Sequence, residues 1–470
     1  MTTSRRLAAA VLIIVVKLSA GAQQPRDTGE LKARSVVLAA KAAALGMKDE
    51  YRRRNLLDQI GAAQANSGDL AGAVDTANSC YPHNLEALMS IGAGLERQGY
   101  TPKQGKALAE KLENDSAGTV LANFADQLSE KGQIPLALEL VRAIKPPEVK
   151  RDALAHIANA EAMSGDYTGA RNTFATAEAA YSRGQAASAD LADMIAKAQI
   201  ARGDLTGAHA TLAALGPTDA APALIASIDA LIKNNEVGVA RQWLDEALAG
   251  LSSERNDQFV RYLAIPAEVK LGRVAAGIAL VEGMAPGMRL KGYATMAVAA
   301  AEMKDSGTVE LALKKMRAAI GQAHDKEMSE FDAQLLTLDV TAALIENGAA
   351  QLASSHLTDM ESHLDESLGE MLQRDIRLEK VVILARQKKF DEARALALKM
   401  PENSVEDNQR GEAFRYVARL ETSAFAADET YFWASALASP EDRGYALLGI
   451  ADALLGATEV HLSYSVIFTE

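Results

Sequence analysis

Cysteine is almost missing from this sequence of 470 residues: Cys80 is the only one. A single thiol excludes an intramolecular disulfide, so packing alone has to hold the fold, and Cys80 is expected inside it. Aromatic residues are scarce too, at 5%, with tryptophan limited to Trp243 and Trp433. An interior without large rings is filled by Ala, Leu, Ile, Val and Met, which favours closely approaching helices over a sheet. Basic charge is outweighed: 49 Lys and Arg stand against 62 Asp and Glu, a formal net charge of −13. Such a chain lacks the general electrostatic footprint of a nucleic-acid binder. The N-terminal apolar run, Leu7 to Val16, is ten residues, half the ~20 that a helix needs to cross a bilayer.

The familiar catalytic signatures are absent as well. There is no G-x-S-x-G, H-E-x-x-H or C-x-x-C, and Gly99 to Gly105-Lys106 has the wrong spacing for a phosphate loop. The most metal-like set is His356, Asp359 and His363, spaced to share one helix face and chemically suited to zinc. Glu361, Asp365 and Glu366 surround it, so a solvated acidic face explains the same residues. His156 and His209 read as packed or exposed spacers rather than catalytic bases. Asp190 and Asp193 lie too close together on one turn to be read as a glycosidase pair. No catalytic, cofactor-binding or metal-ligating residue is assigned, and no cofactor is expected.

What the sequence does contain is a recurring corner. Gly165-Asp166-Tyr167-Thr168-Gly169-Ala170 has close copies at Gly68 to Ala73 and Gly203 to Ala208, each between runs rich in Ala, Leu and Ile. Glycine ends a helix in the left-handed conformation at no steric cost, and the following aspartate caps the next helix. Corners are predicted at Gly68, Gly99, Gly132, Gly165, Gly203, Asn235, Gly272, Gly307, Gly348 and Lys388, at intervals of 31 to 41 residues. Eight of the ten positions five residues further on are Ala, small enough for two helices to approach. A period of this length built from two helices marks a helical repeat array.

These units resemble tetratricopeptide repeats, whose hairpins carry a similar Gly-Asp-Tyr turn followed by a small Ala. Leu57, Ile60 and Gly61, and Leu154, Ile157 and Ala158, stand where that family places its first-helix signature. Gln64, Glu161 and Gln199 replace the usual Tyr, and the first-helix Trp is missing. The resemblance implies an all-α solenoid of stacked antiparallel helix hairpins, a TPR-like superhelix, with a partner held on the concave face lined by first helices. Where some members clamp a terminal carboxylate with Lys and Asn, this chain has Asp58 and Ala62, Ala155 and Asn159, and Asp193 and Lys197. The clamp does not transfer.

In chain order, Arg5 and Arg6, the apolar run and Ala20-Gly21-Ala22 read as a signal peptide over 1–22, with an uncleaved anchor as the alternative. Cleavage would remove Arg5, Arg6 and Lys17 and no acid, taking the formal charge from −13 to −16. A leader and opening helix over 23–49, a TPR-like array over 50–400, degenerate repeats over 401–456 and a tail over 457–470 follow. Val460, Leu462, Tyr464, Val466 and Phe468 alternate in the tail, at the place where a closing helix is expected. Such a tail suits a strand offered to a partner edge, a disordered end, or a segment laid on the last hairpin.

The function expected is a non-enzymatic protein–protein interaction scaffold of the cell envelope, periplasmic or secreted, with an elongated array and a protein or peptide partner. No nucleic acid, and no membrane span after signal cleavage, is expected. Two alternatives stand beside it: a superhelical platform of a cell-wall or polysaccharide-processing enzyme, and a structural protein that self-assembles by stacking its open ends.

Overall fold

A computed structural model describes residues 32–113, 116–179, 186–249, 255–320, 330–361, 370–402 and 408–456. The expected signal peptide, the leader before residue 32, His363 and the 457–470 tail lie outside them. The described residues form twenty-five helices. The opening helix is α1 (Ala33–Leu45). Hairpins follow as α2 (Glu50–Asn66) with α3 (Leu70–Cys80), α4 (Leu85–Arg97) with α5 (Pro102–Ala109), α6 (Ala117–Glu130) with α7 (Ile134–Val141), and α8 (Pro147–Ser164) with α9 (Tyr167–Ala179). Next come α10 (Ala186–Ala201) with α11 (Leu205–Ala213), then α12 (Pro217–Ala226) and α13 (Ile228–Lys233) with α14 (Val237–Ala249). After these stand α15 (Arg255–Lys270) with α16 (Val274–Glu282), α17 (Pro286–Glu302) with α18 (Ser306–Ile320), and α19 (Glu330–Glu346) with α20 (Ala350–Glu361). The last are α21 (Glu370–Arg386) with α22 (Phe390–Leu398), α23 (Gln409–Ala424) with α24 (Ala427–Ala436), and α25 (Pro440–Leu455). Among the described residues there is no strand, so the fold is all-α.

The corners form for the expected reason. Gly165 ends α8 at φ 94°, and the Asp166 carboxylate accepts the Gly169 N–H at 2.8 Å. Asp204 accepts from Gly207 at 2.9 Å in the same way. Nine of the ten predicted corner residues have positive φ. The exception is Gly307, three residues late: Lys304 takes the left-handed position at φ 56°. Asp305 then caps α18, accepting the Thr308 N–H at 3.1 Å. At every one of the ten corners the N–H after the left-handed residue reaches the carbonyl five residues back, at 2.8–3.0 Å. That closes the helix end and satisfies carbonyls that would otherwise be orphaned.

The residues that stand in for the family's Tyr share a job within their hairpins. Thr76 donates its hydroxyl to Gln64 at 2.5 Å and Thr211 to Gln199 at 2.8 Å, each twelve residues on. Glu161 is bonded to Thr173, also twelve residues on. Ala73, Ala170 and Ala208, five residues past the glycine, are completely buried.

First helices pack on first helices, α2 on α4, α4 on α6, α6 on α8, and later α15 on α17, α17 on α19 and α21 on α23. Second helices of neighbouring units meet far less. Tighter spacing in one layer than in the other curves the stack, with first helices on the inner side.

The expectation of an elongated array with free ends is corrected here. The last helix α25 packs on α23 and, as closely as the two helices of a hairpin, on α1. It ends in a left-handed corner at Gly456, φ 65°, like the first helices of the units up to α21, and α1 fills the second-helix place beside it. The largest apolar cluster accordingly runs from Ile265 to Ala451 and continues into Val36, Val37, Ala40, Leu56 and Ile60. The twelfth unit is built from the two ends of the described chain, and the circuit of helix contacts is closed. The place of a closing helix is taken by the opening helix α1.

Candidate functional site

Polar rungs tie successive first helices together along the inner layer. Arg97 donates to Asn66 at 2.8 Å, His156 meets Asp126 at 3.0 Å, and Thr295 donates to Tyr262 at 2.9 Å. Lys270 reaches both Asp229 at 2.8 Å and Glu302 at 3.0 Å. The hydrogen bond from Asp126 raises the His156 pKa against the opposing effect of burial. Between the rungs two large apolar side chains stay open to solvent, Met163 at 48% and Phe259 at 54%.

The densest polar group lies where the circuit closes. Arg415, 9% exposed, donates Nε to Asp452 at 2.8 Å and Nη1 to Gln59 at 2.9 Å. Gln59 in turn donates to Glu412 at 3.2 Å, and Arg52 to Glu441 at 2.8 Å. Burial works against the Arg415 charge, but Asp452, Glu412 and Glu86 outweigh it and its pKa is raised. Asp58 caps α4 from the neighbouring helix, accepting the N–H groups of Ala87 at 2.7 Å and Glu86 at 3.1 Å. Burial nevertheless pushes its pKa up to about 6. Glu86 keeps a solvent-exposed surface, yet it sits in a recess crowded by protein, and burial with the nearby Asp58, Asp452 and Glu412 raises it to about 7. Glu86, which interacts with the Arg415 guanidinium, and Asp58 beside it are two carboxyl groups raised towards neutrality, so this group is responsive to pH.

The residues singled out by sequence separate. His356 is buried, its pKa lowered to about 4 by burial and Arg317. Asp359 pairs with Arg317 on α18 at 2.6 Å. Among the described residues no group of three or more His, Cys, Asp and Glu is placed to hold a metal. His209 bonds Glu246 at 3.0 Å and packs on Trp243. Asp193 is taken up by Lys197 at 2.7 Å, and Asp190 and Asn159 are exposed. Gly99 is a corner, followed by a capping box at Thr101 and Gln104. Cys80 is buried, and burial with the nearby Asp58 pushes its thiol up to about 12. Among the described residues no helix is long and apolar enough to cross a membrane.

Glu86, Glu412, Arg415 and Asp452 carry no local signal that sequence reading could have used. Glu412 and Arg415 are an i,i+3 pair, but Gln59, Glu86 and Asp452 join them from tens to hundreds of residues away, and no short-range spacing encodes that.

No model of a known protein family matches the chain, and no curated protein matches it. Among solved structures it is similar to the crystal structure of Ton1535 from Thermococcus onnurineus NA1. The identity is 15% over 74% of this chain and 94% of that one, with a TM-score of 0.26. It is similar also to a human IFIT1 dimer with PPP-AAAA, at 13% identity over 90% of this chain and 96% of that one, TM-score 0.32. Superpositions this loose carry no argument about architecture or function. The chain's own helices, corners and packing make it an all-α helical-repeat protein.

Proposed function

We propose that this protein is a non-enzymatic scaffold of the cell envelope, whose TPR-like hairpins hold a protein or peptide partner on the inner, first-helix face. The observation that carries the reading is the continuity of that face. Successive first helices pack directly on one another, polar rungs join several of them, and Met163 and Phe259 on α8 and α15 are exposed. A rigid surface of this kind binds through a few anchors set among hydrogen-bonding groups, and exposed large apolar side chains are the natural anchors. Export rests on Arg5, Arg6, the Leu7 to Val16 run and Ala20-Gly21-Ala22.

Self-assembly through stacked open ends is the weaker alternative, because α1 and α25 cover one another. The enzymatic platform would need a separate catalytic segment, and among the described residues all the helices belong to the repeat units. The test is capture from envelope extracts with the mature protein as bait, beside a Met163→Ala, Phe259→Ala double variant whose helicity is first shown to be unchanged. A defined prey retained by the wild type and lost by the double variant supports the reading. Equal capture by both, or none by either, overturns it.

A further inference from the structure

The outer layer offers a second place where chemistry gathers. While α17 and α19 pack closely, the outer helices α18 and α20 that follow them splay and leave a cleft of about 530 Å³. Its volume is in the range of pockets that enclose small ligands, roughly 300–1,000 Å³. Leu313 and Leu352 give it an apolar lining, and the buried His356 lies against them. His356 is neutral at pH 7, since burial and Arg317 hold its pKa near about 4, and its Nε2 has no partner among the described residues. The imidazole therefore adds a polar but uncharged wall.

The cations of α18 are not equivalent. Lys315 is engaged by Glu282 of α16 at 2.7 Å, and Arg317 by Asp359 of α20 at 2.6 Å. Lys314 lines the cleft, is exposed, and has no partner among the described residues. Unlike its neighbours Lys315 and Arg317, the Lys314 ammonium is therefore open to a bound anion. Glu310, one turn before Lys314 on α18, also lines the cleft and disfavours negative charge anywhere but against the ammonium.

We propose that the cleft between α18 and α20 binds a small organic monocarboxylate with an apolar body. The head pairs with Lys314, and the body covers Leu313, Leu352 and the His356 ring. The site is on the outer layer and does not depend on the partner proposed for the inner face.

Titration calorimetry on the full chain with octanoate tests this, with acetate as the head alone and octan-1-ol as the body alone. The expected result is saturable one-to-one binding of octanoate, at least tenfold tighter than either fragment. Lys314→Glu, a change at an exposed side chain, weakens it tenfold or more, whereas Lys103→Glu, an exposed lysine elsewhere, leaves it unchanged. Absence of saturable binding, equal binding of octan-1-ol or acetate, or unchanged affinity in Lys314→Glu overturns the proposal.

Discussion

The corner at Gly165 to Ala170 and the junction of α23, α25, α1 and α2 do the same job by different means. Each joins one helix to the next, but the corner is a covalent bend fixed by a left-handed residue and one capping carboxylate. The junction has no peptide link. It is held by an apolar cluster and by side chains reaching across nearly the whole sequence, Arg415 to Gln59 and Arg52 to Glu441. Local chemistry suffices where the chain itself keeps neighbours together. Where it does not, buried charge has to be matched, and a mismatch is felt at both ends at once.

The comparison breaks most severely at Arg415. Arg415→Met leaves Asp452 and Glu412 without their guanidinium, and removing one partner of a buried pair costs about 3–5 kcal/mol. Denaturant unfolding measures the loss, and hydrogen exchange should show it at α1 and α25 rather than in the middle of the array. A smaller effect is expected at Gly449, where an added Cβ would stand 2.1 Å from the Arg415 carbonyl oxygen and force α23 and α25 apart. Gly449→Ala should cost about 1–3 kcal/mol by overpacking, with the same distribution of lost protection. Asp204→Ala removes only a cap, about 1 kcal/mol, and the loss of protection should stay within α10, α11 and their neighbours.

The last effect is a dependence on pH. Glu86 and Asp58 hold protons in the folded state that the unfolded chain releases, since their pKa values rise from 4.5 to about 7 and from 3.8 to about 6. The folded state binds more protons over this window, so their contribution to stability falls as pH rises from about 4 to about 7. Glu86→Gln should flatten the decline of the melting temperature between pH 5 and pH 8. A slope identical to wild type would remove Glu86 from the account.

Much of the array was legible because each corner is written within six residues. Gly68-Asp69, Gly165-Asp166 and Gly203-Asp204 state both the stop and the cap. The misplaced corner at Gly307 has the same logic: Lys304-Asp305 is a left-handed residue followed by a capping Asp, hidden because Lys rather than Gly occupies the first position. Gln64, Glu161 and Gln199 read only as departures from a pattern, and their pairing with a Thr twelve residues later emerged from the structure. The closure was not legible. Nothing in Ala33 to Leu45 distinguishes a helix that opens an array from one that completes its last unit, because that choice depends on how much each unit turns. The recess around Glu86 and Arg415 exists only once the ends meet, so it was hidden for the same reason.

The closed circuit is tested most directly by a disulfide across the junction. An ideal Cβ on Gly46 lies 3.8 Å from the Pro440 Cβ, the mean separation of about 3.8 Å in native disulfides. Cys80, buried and with its thiol pushed up to about 12, should not compete. A Gly46→Cys, Pro440→Cys double variant at low protein concentration is predicted to form the bridge within one molecule on mild oxidation, detected as a two-hydrogen mass loss and faster migration without reductant. Two thiols that stay titratable in the folded protein, or that link only between molecules, would contradict it.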